Sequence, residues 1–194
     1  MRAFVIATAD EAEAVRPAVG PGDLLLVCGV GKVNAAAAAQ RAIDAGATEV
    51  LNAGLCGGFG DGVELGGVYE VADAVEYDFD LARLNGTARG VLNERTSPYI
   101  PLATVGRFAA KRLATGDRFT DDESDHYYLA VELKAELRDM EGGAIAHVCE
   151  RAGVRCRALK CVSDVAGRGG MVGQYFDHRK ECLECLRRAA ISWT

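Results

Sequence analysis

Hydrophobic positions along this 194-residue chain fall into two patterns, short unbroken apolar runs and longer stretches where apolar residues recur every three or four positions. The first pattern predicts buried strands and the second helices with one covered face. Runs at residues 3–8, 24–28, 49–53, 68–75, 110–114 and 154–163 read as strands. Residues 10–15, 35–45, 121–135, 141–152 and 175–190 read as helices, the second ending at Gly46 and several opening on acids, which suit a helix amino terminus. Strand and helix alternate with glycines at the turns. That order predicts an α/β fold, a mostly parallel or mixed central sheet flanked by helices on both faces, as one domain over residues 1–194. Residues 85–101 break the rhythm; polar and turn-rich, they are a candidate substrate loop or lid.

Composition narrows the range of functions. A formal charge of −6 and a pI of about 5.1, with no block of Lys or Arg, argue against a nucleic-acid or anionic-membrane partner. A small-molecule ligand is the better expectation. No apolar run approaches the ~20 residues of a membrane span, and the amino terminus turns acidic after a short apolar stretch, so a cytoplasmic protein is expected. Seven cysteines, an odd number scattered through predicted elements, fit a reducing compartment. Cys182 and Cys185 have a suggestive spacing but no partner pair, so no metal and no cofactor is expected.

Candidate chemistry concentrates in two acidic segments. Asp139-Met140-Glu141 opens a predicted helix, where the dipole favours an ionised Glu141 that can accept hydrogen bonds from a diol. Asp164 follows an apolar strand at its carboxyl end, the edge where open α/β sheets keep their sites, and burial there favours holding and relaying a proton. The acids Asp10, Glu11 and Glu13 after the first strand are the natural source of a base for water, although helix-end charge complementarity accounts for them equally well. Gly29-Val30-Gly31 has only part of a dinucleotide fingerprint and reads as a tight turn. The glycines at 54, 57, 58 and 60 leave room for a flat ligand such as a purine, and His147 reads as a core histidine.

These segments, in this order, resemble the methylthioadenosine/S-adenosylhomocysteine nucleosidases of the purine nucleoside phosphorylase superfamily. The likeness rests on Gly29-Val-Gly-Lys-Val-Asn-Ala35, Asn52-Ala-Gly-Leu-Cys-Gly-Gly58, Thr115-Gly-Asp-Arg-Phe119, the run from Asp139 to Cys149, and Ser163-Asp-Val-Ala166. It implies a nucleoside phosphorylase-like fold and hydrolysis of the N-glycosidic bond of a 5'-substituted adenosine (methylthioadenosine, S-adenosylhomocysteine or 5'-deoxyadenosine), releasing adenine. By resemblance Asp164 is the general acid at purine N7, with Ser163 beside it, and an aspartate here implies adenine over 6-oxopurines. Glu141 and Met140 meet the ribose, Phe119 stacks on the base, Thr120 offers it backbone contacts, and Val30, Leu55 and Gly57 line the pocket. An ungapped reading puts Glu13 on the water-activating glutamate, and Glu11 takes that place only if the segment is shifted. Glu13 is therefore the expected base. A homodimer is implied as well.

The chain departs from the family pattern at Leu55, usually serine, at Asp10, usually methionine, and in a middle segment, 81–109, that is shorter than usual. Two other functions follow from these features. A phosphorylase would need a cation at the sugar, where the corresponding stretch reads Val75-Glu76-Tyr77 and leaves Arg118 as a substitute. A nucleoside-binding protein with little turnover would keep the pocket without the complete site. A futalosine hydrolase is expected to carry asparagine at position 164.

Overall fold

The computed structural model describes residues 1–119 and 123–194. Strand β1 (Arg2–Ile6) is flanked by β2 (Leu24–Val27) and β3 (Glu49–Gly58), both parallel to it. Alternation along β1 sends Ala3 and Val5 to one face of the sheet and Phe4 and Ile6 to the other. Each face is covered by a pair of helices. Helices α1 (Ala9–Val15) and α6 (Met171–Trp193) pack on the Phe4 side, while α2 (Lys32–Asp44) and α5 (Gly142–Ala152) pack on the Ala3 side. The buried face of α2 consists of Ala35, Ala38, Ala39 and Ala42, and these small side chains let α5 come close.

The far half of the sheet curls. Strand β3 runs parallel to β8 (Arg155–Val165), and β8 pairs antiparallel with β4 (Val68–Glu76). Strand β4 pairs with the short β5 (Ile100–Pro101) and lies parallel to β6 (Ala110–Thr115). Strand β6 is parallel to β7 (Leu137–Asp139), which returns antiparallel to the end of β3. Strands β3, β8, β4, β6 and β7 therefore close a ring of pairings, sealed where Gly57 and Gly58 meet Arg138 and Leu137.

The expected α/β architecture is present, with differences at element ends. The strand predicted to stop at Ala53 continues to Gly58, because backbone pairing to β8 on one side and β7 on the other outweighs the low strand propensity of glycine. Strands β5 and β7 are too short to leave a periodic signal. Short helix α3 (Ala82–Asn85) precedes the irregular middle of the chain. The helix predicted over 121–135 is α4 (Glu123–Tyr127) followed by a π-helical turn at Tyr128–Glu132, its first two predicted residues lying outside the described residues. The last helix begins at Met171, a turn earlier than expected. No described helix is long and apolar enough to cross a membrane, and all seven cysteines are free thiols.

One ion pair lies at the centre of the ring. Lys160 of β8 places Nζ 2.8 Å from Asp139 Oδ2 of β7, with both side chains almost fully buried. Asp139 also accepts from Thr115 Oγ1 at 2.6 Å and from the Gly142 amide at 2.8 Å, tying β6, β7, β8 and the start of α5 to one carboxylate. Removing one member of such a pair leaves a buried charge without its counter-ion. Asp139→Ala is expected to destabilise the fold by about 3–5 kcal/mol, read as a lower midpoint in urea unfolding. A change below about 1 kcal/mol would show that the pair carries little of this structural load.

Candidate active site

A cavity of about 320 Å³ opens at the carboxyl ends of β1, β3 and β8, where the predicted site was expected. Its wall brings together Val30, Leu55, Gly57, Phe119, Met140, Glu141, Ser163 and Asp164. Thr120 lies outside the described residues. Glu13 is not on the wall.

The amino-terminal base expectation needs correcting. Glu13 points away from the cavity into solvent and pairs with Arg16 at 3.0 Å. Glu11 lines the cavity instead, two residues earlier and so on the opposite side of α1. Its position is tightly determined. Oε1 accepts from the Leu55 amide at 2.7 Å, and Oε2 accepts from the Thr8 amide at 3.0 Å and lies 2.7 Å from Thr8 Oγ1. This approach to β3 requires the glycine at 54, since a Cβ there would sit 2.7 Å from Oε1. The ungapped reading of the sequence did not register this contact, which joins residues far apart in the chain.

Asp164 is aimed by a bulge. Opposite Cys56 and Gly57 of β3, strand β8 presents Val162 and then Asp164, so Ser163 is the extra residue. Such a bulge re-aims the side chain that follows it. The Ser163 hydroxyl lies 2.8 Å from Asp164 Oδ2 and 3.2 Å from the Cys56 carbonyl. Asp164 is buried, and a Cβ on Gly57 would come within 3.0 Å of its Oδ1. The floor beside this acid is therefore bare backbone.

Glu141 stands just before the first residue of α5 and accepts from the Gly31 amide at 3.0 Å. The helix terminus was expected to favour its ionised form. Burial dominates instead, reinforced by the charge of Asp139, and pushes its pKa up to about 7; Lys160 and the Gly31 amide pull the other way without prevailing. Lys160 stays protonated despite its burial because Asp139 and Glu141 stand beside it. His147, read as a core histidine, is half-buried, with Nδ1 2.9 Å from Glu76 and Nε2 2.8 Å from Glu94.

Several wall residues escaped the sequence reading. Thr8 and Arg138 line the cavity, as do Val172, Tyr175 and Phe176 from the first turns of α6; Arg118, named above as a possible cation at the sugar, is on the wall as well. Val172, Tyr175 and Phe176 recur at helical spacing on a helix whose start was placed too late. Lys160 gave a visible signal: a cation among the apolar residues Ala158, Leu159, Cys161 and Val162 requires a buried acidic partner.

Comparison with known proteins shows the family. The phosphorylase superfamily model matches residues 18–191. A futalosine hydrolase from Thermus thermophilus is 32% identical over 88% of this chain and 80% of its own. A 5'-methylthioadenosine/S-adenosylhomocysteine nucleosidase from Treponema pallidum is 29% identical over 89% of this chain and 77% of its own. Among solved structures, the Helicobacter pylori nucleosidase of that name, in complex with butyl-thio-DADMe-Immucillin-A, superposes with a TM-score of 0.88 at 17% identity, covering 99% of this chain and 96% of the other. The chain belongs to the phosphorylase superfamily. Within it the relatives are nucleosidases and hydrolases, and the chain is an N-glycosidic-bond hydrolase of that kind.

The raised proton affinity of Glu141 links stability to pH. Its folded-state pKa of about 7 exceeds the ordinary 4.5, so between these values the folded protein holds a proton that the unfolded chain has lost. Stability contributed by this group is present below about pH 4.5 and falls as pH rises towards 7. Glu141→Gln should remove that loss, gaining roughly 3 kcal/mol on wild type at pH 8 and little at pH 4.5. Thermal melts at the two pH values check this; an equal shift at both would contradict it.

Proposed function

We propose that this cavity hydrolyses the N-glycosidic bond of a 5'-substituted adenosine and releases adenine. The observation that carries the reading is that Glu11, Glu141 and Asp164 share the wall of one cavity, each held by different partners. Glu141, when ionised, accepts hydrogen bonds from the ribose hydroxyls, with Met140 against the sugar. Phe119 stacks on the purine above the Gly57 floor. Asp164 delivers a proton to N7 as the bond between C1' and N9 breaks, so the base departs neutral. Glu11 takes a proton from the water whose oxygen bonds to C1'.

Water suits this site better than phosphate, because a dianion would have to approach the carboxylates of Glu11 and Glu141. A 5'-methylthio or 5'-homocysteinyl substrate belongs to the same proposal, supported by the names of the relatives, and a 5'-deoxy substrate, a homodimer and a cytoplasmic setting are added to it on the sequence reading alone.

Adenine release from methylthioadenosine, S-adenosylhomocysteine and 5'-deoxyadenosine tests the proposal, with and without phosphate. Turnover is expected without phosphate. Asp164→Asn and Glu11→Gln should each lower kcat by about 10²- to 10⁴-fold, the usual contribution of a positioned acid or base. Glu13→Gln should stay near wild type. Phosphate-dependent turnover, or binding of these nucleosides without base release, would replace the hydrolase reading with a phosphorylase or a binding protein.

A further inference from the structure

In the hydrolysis scheme Glu11 ends each cycle holding a proton taken from water, and it must lose that proton before it can act again. Glu11 is 7% exposed, and its access to water runs through the cavity that the nucleoside fills. With the cavity occupied, the exit of the proton depends on the groups around the carboxyl.

Most of those groups cannot take it. The amides of Leu55 and Thr8 only donate. Lys160, whose charge acts on Glu11, is already protonated and held so by Asp139 and Glu141. Glu141 is engaged by the ribose hydroxyls in the same scheme. The Thr8 hydroxyl can both accept a proton and give one.

Its placement fits that role. Thr8 Oγ1 lies 2.7 Å from Glu11 Oε2 and 2.8 Å from Asp10 Oδ1. A hydroxyl has one proton, so between two ionised carboxylates it can donate to only one, and the other contact sets two acceptors together. A single added proton satisfies both contacts: Glu11 donates to Thr8, and Thr8 donates to Asp10. The capping arrangement at the start of α1 accounts for the Thr8 amide on Glu11, but it does not require a second acid on the other side of the hydroxyl. Asp10 pairs with Arg179 through Oδ2, which leaves Oδ1 for Thr8, and its side chain is 37% exposed. The chain of contacts therefore runs from the buried acid to the surface.

We propose that Thr8 and Asp10 form a relay that carries the proton Glu11 takes from water out to solvent while the cavity is occupied. The inference rests on the hydrolase reading. As the proton on Glu11 Oε2 passes to Thr8 Oγ1, the hydroxyl proton passes to Asp10 Oδ1, and Asp10 gives it to water. Thr8 ends with the one proton it began with, Glu11 is again a base, and no electrons change centres. Both residues act through Glu11 rather than on the substrate.

The test follows methylthioadenosine hydrolysis in dilute buffer, under single-turnover and steady-state conditions, in wild type, Asp10→Asn, Thr8→Val and Thr8→Ser. Asn keeps an oxygen for Thr8 but takes up no proton. The ratio of steady-state kcat to the single-turnover rate should fall at least about tenfold in Asp10→Asn and Thr8→Val and stay near wild type in Thr8→Ser. Added imidazole, a small diffusible base, should restore the ratio in Asp10→Asn, where it stands in for the surface acid, and not in Thr8→Val, where the hydroxyl link is missing. Should the valine variant not fold, Asp10→Asn and its response to imidazole decide alone. An unchanged ratio, or a fall in Asp10→Asn that imidazole does not relieve, would overturn the relay. Infrared difference spectra of the unliganded protein on acidification separate this from failure of the hydrolase reading. If wild type cleaves nothing, that reading fails, yet one protonated-carboxyl band altered alike by Glu11→Gln, Asp10→Asn and Thr8→Val would still support the link through Thr8. Bands that Glu11→Gln and Asp10→Asn remove independently would sink both.

Discussion

Three carboxylates crowd the base of one apolar cavity, and the Lys160–Asp139 pair makes that arrangement possible. Ionised acids are expensive to bury, and together they repel. Lys160 supplies a fully buried positive charge beside Glu11 and Glu141, and Asp139 anchors it while bonding to Thr115 and to the first turn of α5. A buried pair of this kind contributes little net stability compared with a well-packed apolar alternative. Its value here is positional: the carboxylate that holds Lys160 also holds the helix start on which Glu141 sits. Glu141 is left partly uncompensated, which is why its proton affinity is high.

Around that centre, the curl of the sheet shapes the cavity. Closing the ring through β7 brings Arg138 beside Gly57 on one side, while the bulge at Ser163 brings Asp164 beside it on the other. Both follow from β3 running on through its glycines. A side chain at 54 would displace Glu11, and one at 57 would crowd Asp164 and Met171. The glycine-rich segment is therefore a strand whose missing side chains form the space for a ligand and let an acid reach the backbone from either end.

Much of this was legible in the chain. Alternating apolar runs and helical periods marked the layered α/β fold, and the segments around Glu141 and Asp164 marked two walls of the cavity. The reading failed where a residue's direction depends on contacts distant in sequence. Glu11 and Glu13 stand in the same acidic cluster; Glu11 closes a local cap with the Thr8 amide and reaches the Leu55 amide, 44 residues away, while Glu13 faces Arg16. The helix dipole argued for an ionised Glu141, and burial beside Asp139 reversed that bias. Strand β7 left no signal because three residues cannot display a period, and with it Arg138 passed unnoticed.

The layers, the order of the elements and the acids at strand and helix ends are set by local periodicity and turn chemistry, which are properties of neighbouring residues. The tertiary structure alone decided which acid enters the cavity, which cation balances it and what flanks the glycine floor. Those outcomes depend on strand register, a bulge and burial, which arise only when distant segments share one low-dielectric interior.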